Sequence, residues 1–299
     1  MPKASAALTI TEERTFSAQL GGRTVAGLAV ADAWRGFTMY ANAAGAHLIV
    51  LDAEQRVVTG TPALLSTLGL LSNEHFVLIP KTTLPGGLVV EAFWYARYPA
   101  SKDAVGKLVH DISSKPWVNV NFEQAGTAAV EAGMQVARET QELAVRHLIC
   151  LQPENWTSGN VGEGTVYQGL RRGTVSSAQA ADHKANDDER NWHVLPGGER
   201  VYGVAGNIYT WTHDDVQGDE RGLVAGRMKS DSISLTTAPY ASKEKGMGYR
   251  TDGDCDWSGR ALIRGGYWDG GDRAGVFYLG YSVPRDSLDF VGFRCTKPA

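Results

Sequence analysis

The sequence predicts an α+β fold with little regular secondary structure, preceded by a small β-rich unit. Three observations carry this. Short alternating or β-branched runs fill the first seventy-odd residues, helical periodicity is confined to one stretch near the middle, and almost nothing after Cys150 is helical although half of the chain remains. Glycine, 35 of 299 residues, exceeds the ordinary usage of about 7% without any three-residue period, so it marks turns and tight corners.

Taken in order, Leu8–Phe16, Thr24–Val30, Phe37–Tyr40, His47–Asp52 and Arg56–Thr59 read as strands separated by Gly-Gly, Ala-Gly and Asp-Ala breaks. Composition shifts near Ser72–Glu74, which sets the expected domains at 1–74 and 75–299. Phe76–Ile79 and Gly87–Tyr95 then form an expected strand pair. Over Asn121–Leu148 the period changes: Phe122, Ala125, Ala129 and Ala132 share one helical face, and Glu139–His147 forms a second helix after Gly133. Beyond Cys150 come loops and short strands dense in Gly, Asp and Asn, with Trp156, Trp192, Trp211, Trp257 and Trp268 spaced to anchor them from beneath.

Composition narrows the function classes. Hydrophobic residues at 43% and charged residues at 21%, with mean hydropathy −0.23, exclude wholesale disorder. A formal net charge of −4 and a pI near 6.0 spread no polyanion-binding field over the molecule, so nucleic acid is not an expected partner. Cys150, Cys255 and Cys295 are odd in number and lack a CxxC spacing, which argues against a disulfide framework and a thiolate zinc site. Met1–Ile10 has one lysine and no apolar core, and the longest apolar patch, Pro62–Leu71, falls short of the roughly 20 residues of a membrane span. The expected location is cytoplasmic or virion-associated.

Local candidates for chemistry have plainer readings beside them. Gln152–Trp156 is similar to the calcium- and sugar-binding triplets of C-type lectins, but no Trp-Asn-Asp partner follows, so a turn is favoured. Asp252, Asp254 and Asp256 alternate like the start of an EF-hand loop, yet Ile263 stands where the closing glutamate belongs. His213-Asp214-Asp215 carries ligand-type side chains without a second histidine at helical spacing, and Asp187–Arg190 is a charge run; a surface loop and a solvated face are the favoured readings. No GxSxG elbow is present.

The C-terminus is more specific. Arg264-Gly265-Gly266-Tyr267-Trp268 followed by Gly292-Phe293-Arg294-Cys295 resembles the "RGGSW … GFRC" frame of the formylglycine-generating-enzyme family, a variant of the C-type lectin fold. Upstream, Pro116–Phe122 resembles the family's "P-V-x-x-V-S-W", and Ala205–Trp211 its "x-G-N-V-W-E-W". Gly133–Ala144 takes the place of its "R-L-P-T-E-x-E-W-E-Y-A" helix, where Glu139 and Ala144 match but Glu142 falls near the usual tryptophan. These elements cover about residues 76–299. The resemblance implies a C-type-lectin-fold domain of this variant behind the β-rich unit. It does not carry the oxidase activity over, because the family's reactive cysteine pair is missing between Gly266 and Gly292.

The same frame is used by variable proteins of diversity-generating retroelements, and Ala274-Gly275-Val276-Phe277 with Leu279 and Pro284 is similar to their "A-G-V-F-x-L" core. Adenine-directed mutagenesis of AAC or AAT codons never yields Trp, which makes Trp268 a fixed frame position, and never yields Lys, Glu, Gln or Met. These four number 39 among the 299 residues, yet none falls in the 27 from Gly265 to Val291, where roughly three or four are expected by proportion. The resemblance implies a ligand-binding protein without catalysis or cofactor, displaying a hypervariable segment over about 265–291. Its tyrosines interleaved with Gly, Ser and Arg have a paratope's composition. The expected displayed positions are Tyr267, Asp269, Gly270, Arg273, Tyr278, Gly280, Tyr281, Ser282, Arg285, Ser287, Leu288, Asp289 and Phe290, on an inward frame of Trp268, Phe277, Leu279, Phe293 and Arg294. A protein or cell-surface ligand and a docking role for residues 1–74 are the implied partners. The rival readings are an oxidase of the formylglycine-generating type, a relative using histidine-bound iron, and a calcium-dependent lectin.

Overall fold

The computed structural model describes residues 74–186, 188–237, 242–250 and 253–299, together with the backbone of six strands within residues 7–60. The chain divides into two compact units, Met1–Asn73 and Glu74–Ala299. In the first, Ala7–Leu8, Thr38–Ala41, Leu48–Leu51 and Val57–Gly60 form an antiparallel sheet in that order, and Thr15–Leu20 pairs with Arg23–Ala29. Where one strand is expected over Leu8–Phe16, strands are described at Ala7–Leu8 and Thr15–Leu20, and residues 9–14 lie outside the described residues. Phe16, Ala18 and Leu20 alternate with Ser17 and Gln19 up to a Gly-Gly pair, which is the pattern of a hairpin arm.

In the second unit the chain ends meet. Phe93–Ala96 lies between Phe76–Ile79 and the C-terminal strand Cys295–Pro298, which also pairs with the short Gln135–Val136, all antiparallel. Helices run over Phe122–Glu131 and Glu139–Cys150. The first starts at Asn121, whose side chain accepts from Gln124 N while Gln124 Oε1 accepts from Asn121 N, so two orphan donors are satisfied reciprocally. The second is capped from a distance: Asp215 accepts from Thr140 N at 2.9 Å and Thr140 Oγ1 at 2.7 Å. A second sheet has the order Leu279–Ser282, Ala261–Arg264, Tyr209–Thr212, Val291–Phe293, with the last pair parallel. Terminal strands joined in one antiparallel sheet, two longer helices and a loop-borne second sheet make this an α+β unit of the C-type lectin kind.

Apolar clusters hold it, and three of them anchor the two helices and the second sheet. The helix Glu139–Cys150 buries Leu143, Val145 and Ile149 with Val77, Ile79, Phe93, Val276 and Phe277. The helix Phe122–Glu131 lays its small Ala125 and Ala129 against Trp211, Ile263 and Phe293. On the opposite face of that sheet, Leu262 and Leu279 pack with Trp257, Met228 and Leu235. Each fully buried Leu or Ile contributes about 1.5–3 kcal/mol relative to exposure.

Buried polar side chains tie down the loops, and two surface readings from sequence are corrected here. Glu189, in the charge run, is buried and its Oε1 accepts from Arg171 N and Arg172 N at 2.7 and 3.0 Å. The adjoining Arg190 guanidinium lies over Tyr167 and Trp192 at 4.0 and 4.1 Å. Asp187 lies outside the described residues. Asp214 is buried rather than in a solvated loop, with Oδ1 accepting from Val216 N and Gln217 N. These backbone donors lack secondary-structure partners, and a buried carboxylate satisfies two at once. The turn reading of Gln152–Trp156 agrees with the structure: Asn155 is buried and its amide bonds Ile149 O, Val194 O and Val194 N. Asp252 lies outside the described residues.

Candidate functional site

Two connections of the second sheet make up the segment singled out from sequence. Gly265–Tyr278 joins Ala261–Arg264 to its neighbour Leu279–Ser282, and 283–290 returns along the sheet to its other edge strand, Val291–Phe293. Gly265 and Gly266 start the first connection, both at φ 93. A Cβ on Gly265 would stand 2.8 Å from Val204 O, and one on Gly266 would overlap the Ala274 backbone, so only glycine lets the chain leave the strand here. The return connection is pinned by backbone bonds, Phe122 N to Pro284 O at 3.0 Å, Asn119 N to Leu288 O at 2.9 Å and Tyr209 N to Phe290 O at 2.9 Å.

Both connections deliver aromatic rings to one end of the sheet. Tyr209 lies at the centre, with ring centroids 5.1 Å from Tyr267, 4.9 Å from Tyr278 and 6.0 Å from Phe290. Tyr267 also meets Phe290 at 4.9 Å and Trp268 at 5.7 Å. The spacings are those of offset and edge contacts that make aromatic clusters rigid. Burial, then the neighbouring Tyr278 phenol, raises the Tyr209 hydroxyl pKa. All five rings are half-buried. Along the same two connections Asp269, Arg273, Arg285, Ser287 and Asp289 are exposed and Gly270 and Leu288 are half-buried, as is Ser282 at the end of the strand between them.

Three expected placements differ. Gly280 is buried, because the Tyr278 ring covers it; a Cβ there would stand 2.6 Å from Tyr278 Oη. Tyr281 shares a strand face with Leu279, not with Gly280, and its ring sits 4.6 Å from Trp257, apart from the shelf. It is 45% exposed. Trp268 is half-buried rather than inward, and its Nε1 is shielded from solvent without a hydrogen-bond acceptor. Phe277, Leu279, Phe293 and Arg294 are buried as expected. Tyr209 was not among the candidates. Its signal was its place in the Ala205–Trp211 motif next to the glycine-asparagine turn, which was read only for fold.

Two buried arginines bracket the segment. Arg264 donates from Nε to Glu139 Oε2 at 2.8 Å and pairs through Nη2 with Oε1, both side chains excluded from solvent. Arg294 donates from Nη1 to Ala96 O at 2.6 Å and from Nη2 to Tyr202 O. Glu142, at the usual tryptophan position, is held by Arg146 and accepts from Tyr95 Oη at 3.0 Å. Burial keeps the Cys295 thiol protonated, pushed up to about 12, and raises Cys150 as well, so neither is a ready nucleophile. Among the described residues no group of three His, Cys, Asp or Glu side chains is placed to hold a metal ion, and no helix is long and apolar enough to cross a membrane.

No protein-family model matches the chain, and no curated protein does. Solved structures are similar to it. PvdO from Pseudomonas aeruginosa is 13% identical, with 75% of this chain and 94% of that one covered and a TM-score of 0.42. Treponema denticola variable protein 1 is 11% identical, with 95% and 99% covered and a TM-score of 0.41. The Major Tropism Determinant M1 variant is 12% identical, with 100% and 73% covered and a TM-score of 0.37. Similar structures thus include a variable protein and a tropism determinant variant.

Proposed function

We propose that this is a recognition protein, in which the connections 265–278 and 283–290 display a diversified ligand-binding surface and no reaction is catalysed. The observation that carries the reading is the aromatic shelf. Tyr209, Tyr267, Tyr278 and Phe290 offer rigid, amphipathic area that loses little conformational entropy on contact, as in antibody paratopes. Exposed Asp269, Arg273, Arg285, Ser287 and Asp289 on the same connections add adaptable polar groups. The ligand is a protein or cell-surface molecule, and the unit Met1–Asn73 docks the chain on a larger assembly such as a virion. The sequence of the segment supports diversification through its lack of Lys, Glu, Gln and Met.

A display library randomised at Asp269, Arg273, Arg285, Ser287 and Asp289 tests this. Most clones should fold and unfold cooperatively, and the library should yield binders to unrelated protein baits. A library of mostly unfolded clones, or one that yields no binders, overturns the reading. A reverse transcriptase gene and an adenine-rich near-copy of the coding segment in the neighbouring DNA are expected as well.

A further inference from the structure

The helix Phe122–Glu131, the turn at Val283–Arg285 and the loop at His213–Leu223 enclose an open groove of about 920 Å³. Its walls are apolar through Phe122, Val136, Leu223 and Pro284, and Val130 and Val283 on them are 71% and 36% exposed. Exposed aliphatics gathered around one concavity suit an apolar body of drug-like size, for which sites run to about 300–1,000 Å³.

The charges in the groove are unbalanced. Arg138, Arg221 and Arg285 line it against a single carboxylate, Glu123. Arg221 is already occupied by Asp219, through Nε and Nη2 at 3.0 and 2.6 Å. Among the described residues neither Arg138 nor Arg285 has a carboxylate partner, and the Arg138 guanidinium makes one bond, to Gln135 Oε1 at 3.3 Å. Arg138 also precedes the helix Glu139–Cys150, where the macrodipole disfavours a cation, so the fold gains nothing from that charge. The half-buried His213 on the same wall is held below its ordinary value by burial and then by Arg138, which keeps it neutral. A chain of net charge −4 therefore presents unpaired cations on one apolar groove.

We propose that this groove binds an apolar molecule with a carboxylate head, its body along Phe122, Val130, Val136 and Leu223 and its head on the Arg138 and Arg285 guanidiniums. The groove shares none of the five shelf rings, and Val283, Pro284 and Arg285 belong to both the groove and the connection 283–290.

Octanoate and its neutral counterpart 1-octanol are the probes, titrated into the ¹⁵N-labelled full chain and followed by amide shifts and calorimetry. Octanoate should shift the Gly126 and Gly259 amides and saturate, with 1-octanol about tenfold weaker or more. Arg138→Gln and Arg285→Gln, both at exposed side chains, should each weaken octanoate severalfold, leave 1-octanol unchanged and keep the melting temperature. Val130→Asp should weaken both probes. No saturation by about 10 mM octanoate, equal binding of 1-octanol, full affinity in Arg138→Gln, or shifts confined to residues outside the groove would each overturn the proposal. Failure of the display library would leave this outcome unaffected, because Arg138, Phe122 and Val130 lie outside the diversified segment.

Discussion

Replacing Arg264 by methionine should be among the most costly single changes in the second unit. Its guanidinium holds Glu139 by two donors, and its Nη2 and Nη1 also face Ser234 O at 3.3 Å and Tyr278 O at 3.5 Å. One side chain therefore joins the start of the helix Glu139–Cys150, the strand before Gly265, the short helix Ile233–Thr236 and the first displayed connection. Methionine fills a similar volume but leaves the Glu139 carboxylate excluded from water without a cation. Breaking a buried pair in this way costs about 3–5 kcal/mol, whereas replacing both partners by apolar groups is often neutral. For a unit of this size each kcal/mol lowers the melting temperature by about 2–4 °C. Urea denaturation of parent, Arg264→Met, Glu139→Leu and the double variant gives the cycle. The single arginine variant should lose about 3–5 kcal/mol and the double variant should recover most of it. A loss below about 1 kcal/mol, or a double variant no better than the single, would refute the reasoning.

Three further outcomes are expected. Phe277→Ala, in the main core, should cost about 3–5 kcal/mol, Tyr281→Ser within about 1 and Tyr278→Ser between them, by denaturant titration; equal losses would mean Tyr281 is core. Acid should destabilise the fold between about pH 6 and 4. Burial holds His110 at about 4 and His193 at about 3 and lowers His213 as well, so the unfolded chain takes up at least two protons that the folded one refuses below 6.5. Asp214, pushed up to about 6 by burial, opposes with one, leaving a loss on the order of 1 kcal/mol per pH unit; urea midpoints that rise on acidification would contradict this. Given copper, oxygen and a thiol-containing sulfatase peptide, the purified protein should form no aldehyde above background, and metal-dependent conversion would restore the oxidase reading.

The fold was legible where patterns are local. The two helices follow from period, and the pair expected of Phe76–Ile79 with Gly87–Tyr95 forms with its second arm shifted to Phe93–Ala96. The site was legible as a segment but not as a surface. A strand's alternation assigns faces only once the strand's limits are known, and Leu279–Ser282 places Tyr281 with Leu279, on the side of Trp257. Gly280 was read as displayed because nothing local reveals that the Tyr278 ring folds back over it. The charge run at Asp187–Arg190 and the His213–Asp215 triplet misled for a shared reason. In loops, buried carboxylates take the place of sheet and helix partners, so polar sequence there does not mean solvent.

A surface can change its side chains only if its backbone does not depend on them, and the structure shows how that independence is arranged here. Arg264 stands immediately before the segment and Arg294 three residues after it, and both are fully buried, Arg264 bonded to Glu139 and Arg294 to the backbone of Ala96 and Tyr202 rather than to the segment's side chains. Between them the path is set by backbone bonds, Gly275 N to Gly265 O at 2.9 Å, Gly173 N to Trp268 O at 2.8 Å and Asn119 N to Leu288 O at 2.9 Å, and by Gly265, Gly266 and Gly275, where a Cβ would crowd neighbouring backbone. Side chains are required only where Val276, Phe277 and Leu279 enter the cores. The shelf is the costly exception. Tyr278 and Phe290 lean on the cluster of Trp211 and Ile263 while their rings meet Tyr209, so a substitution there trades stability as well as affinity. Exposed Asp269, Arg273, Arg285, Ser287 and Asp289 carry no such debt, and diversity should concentrate at those positions before it reaches the rings.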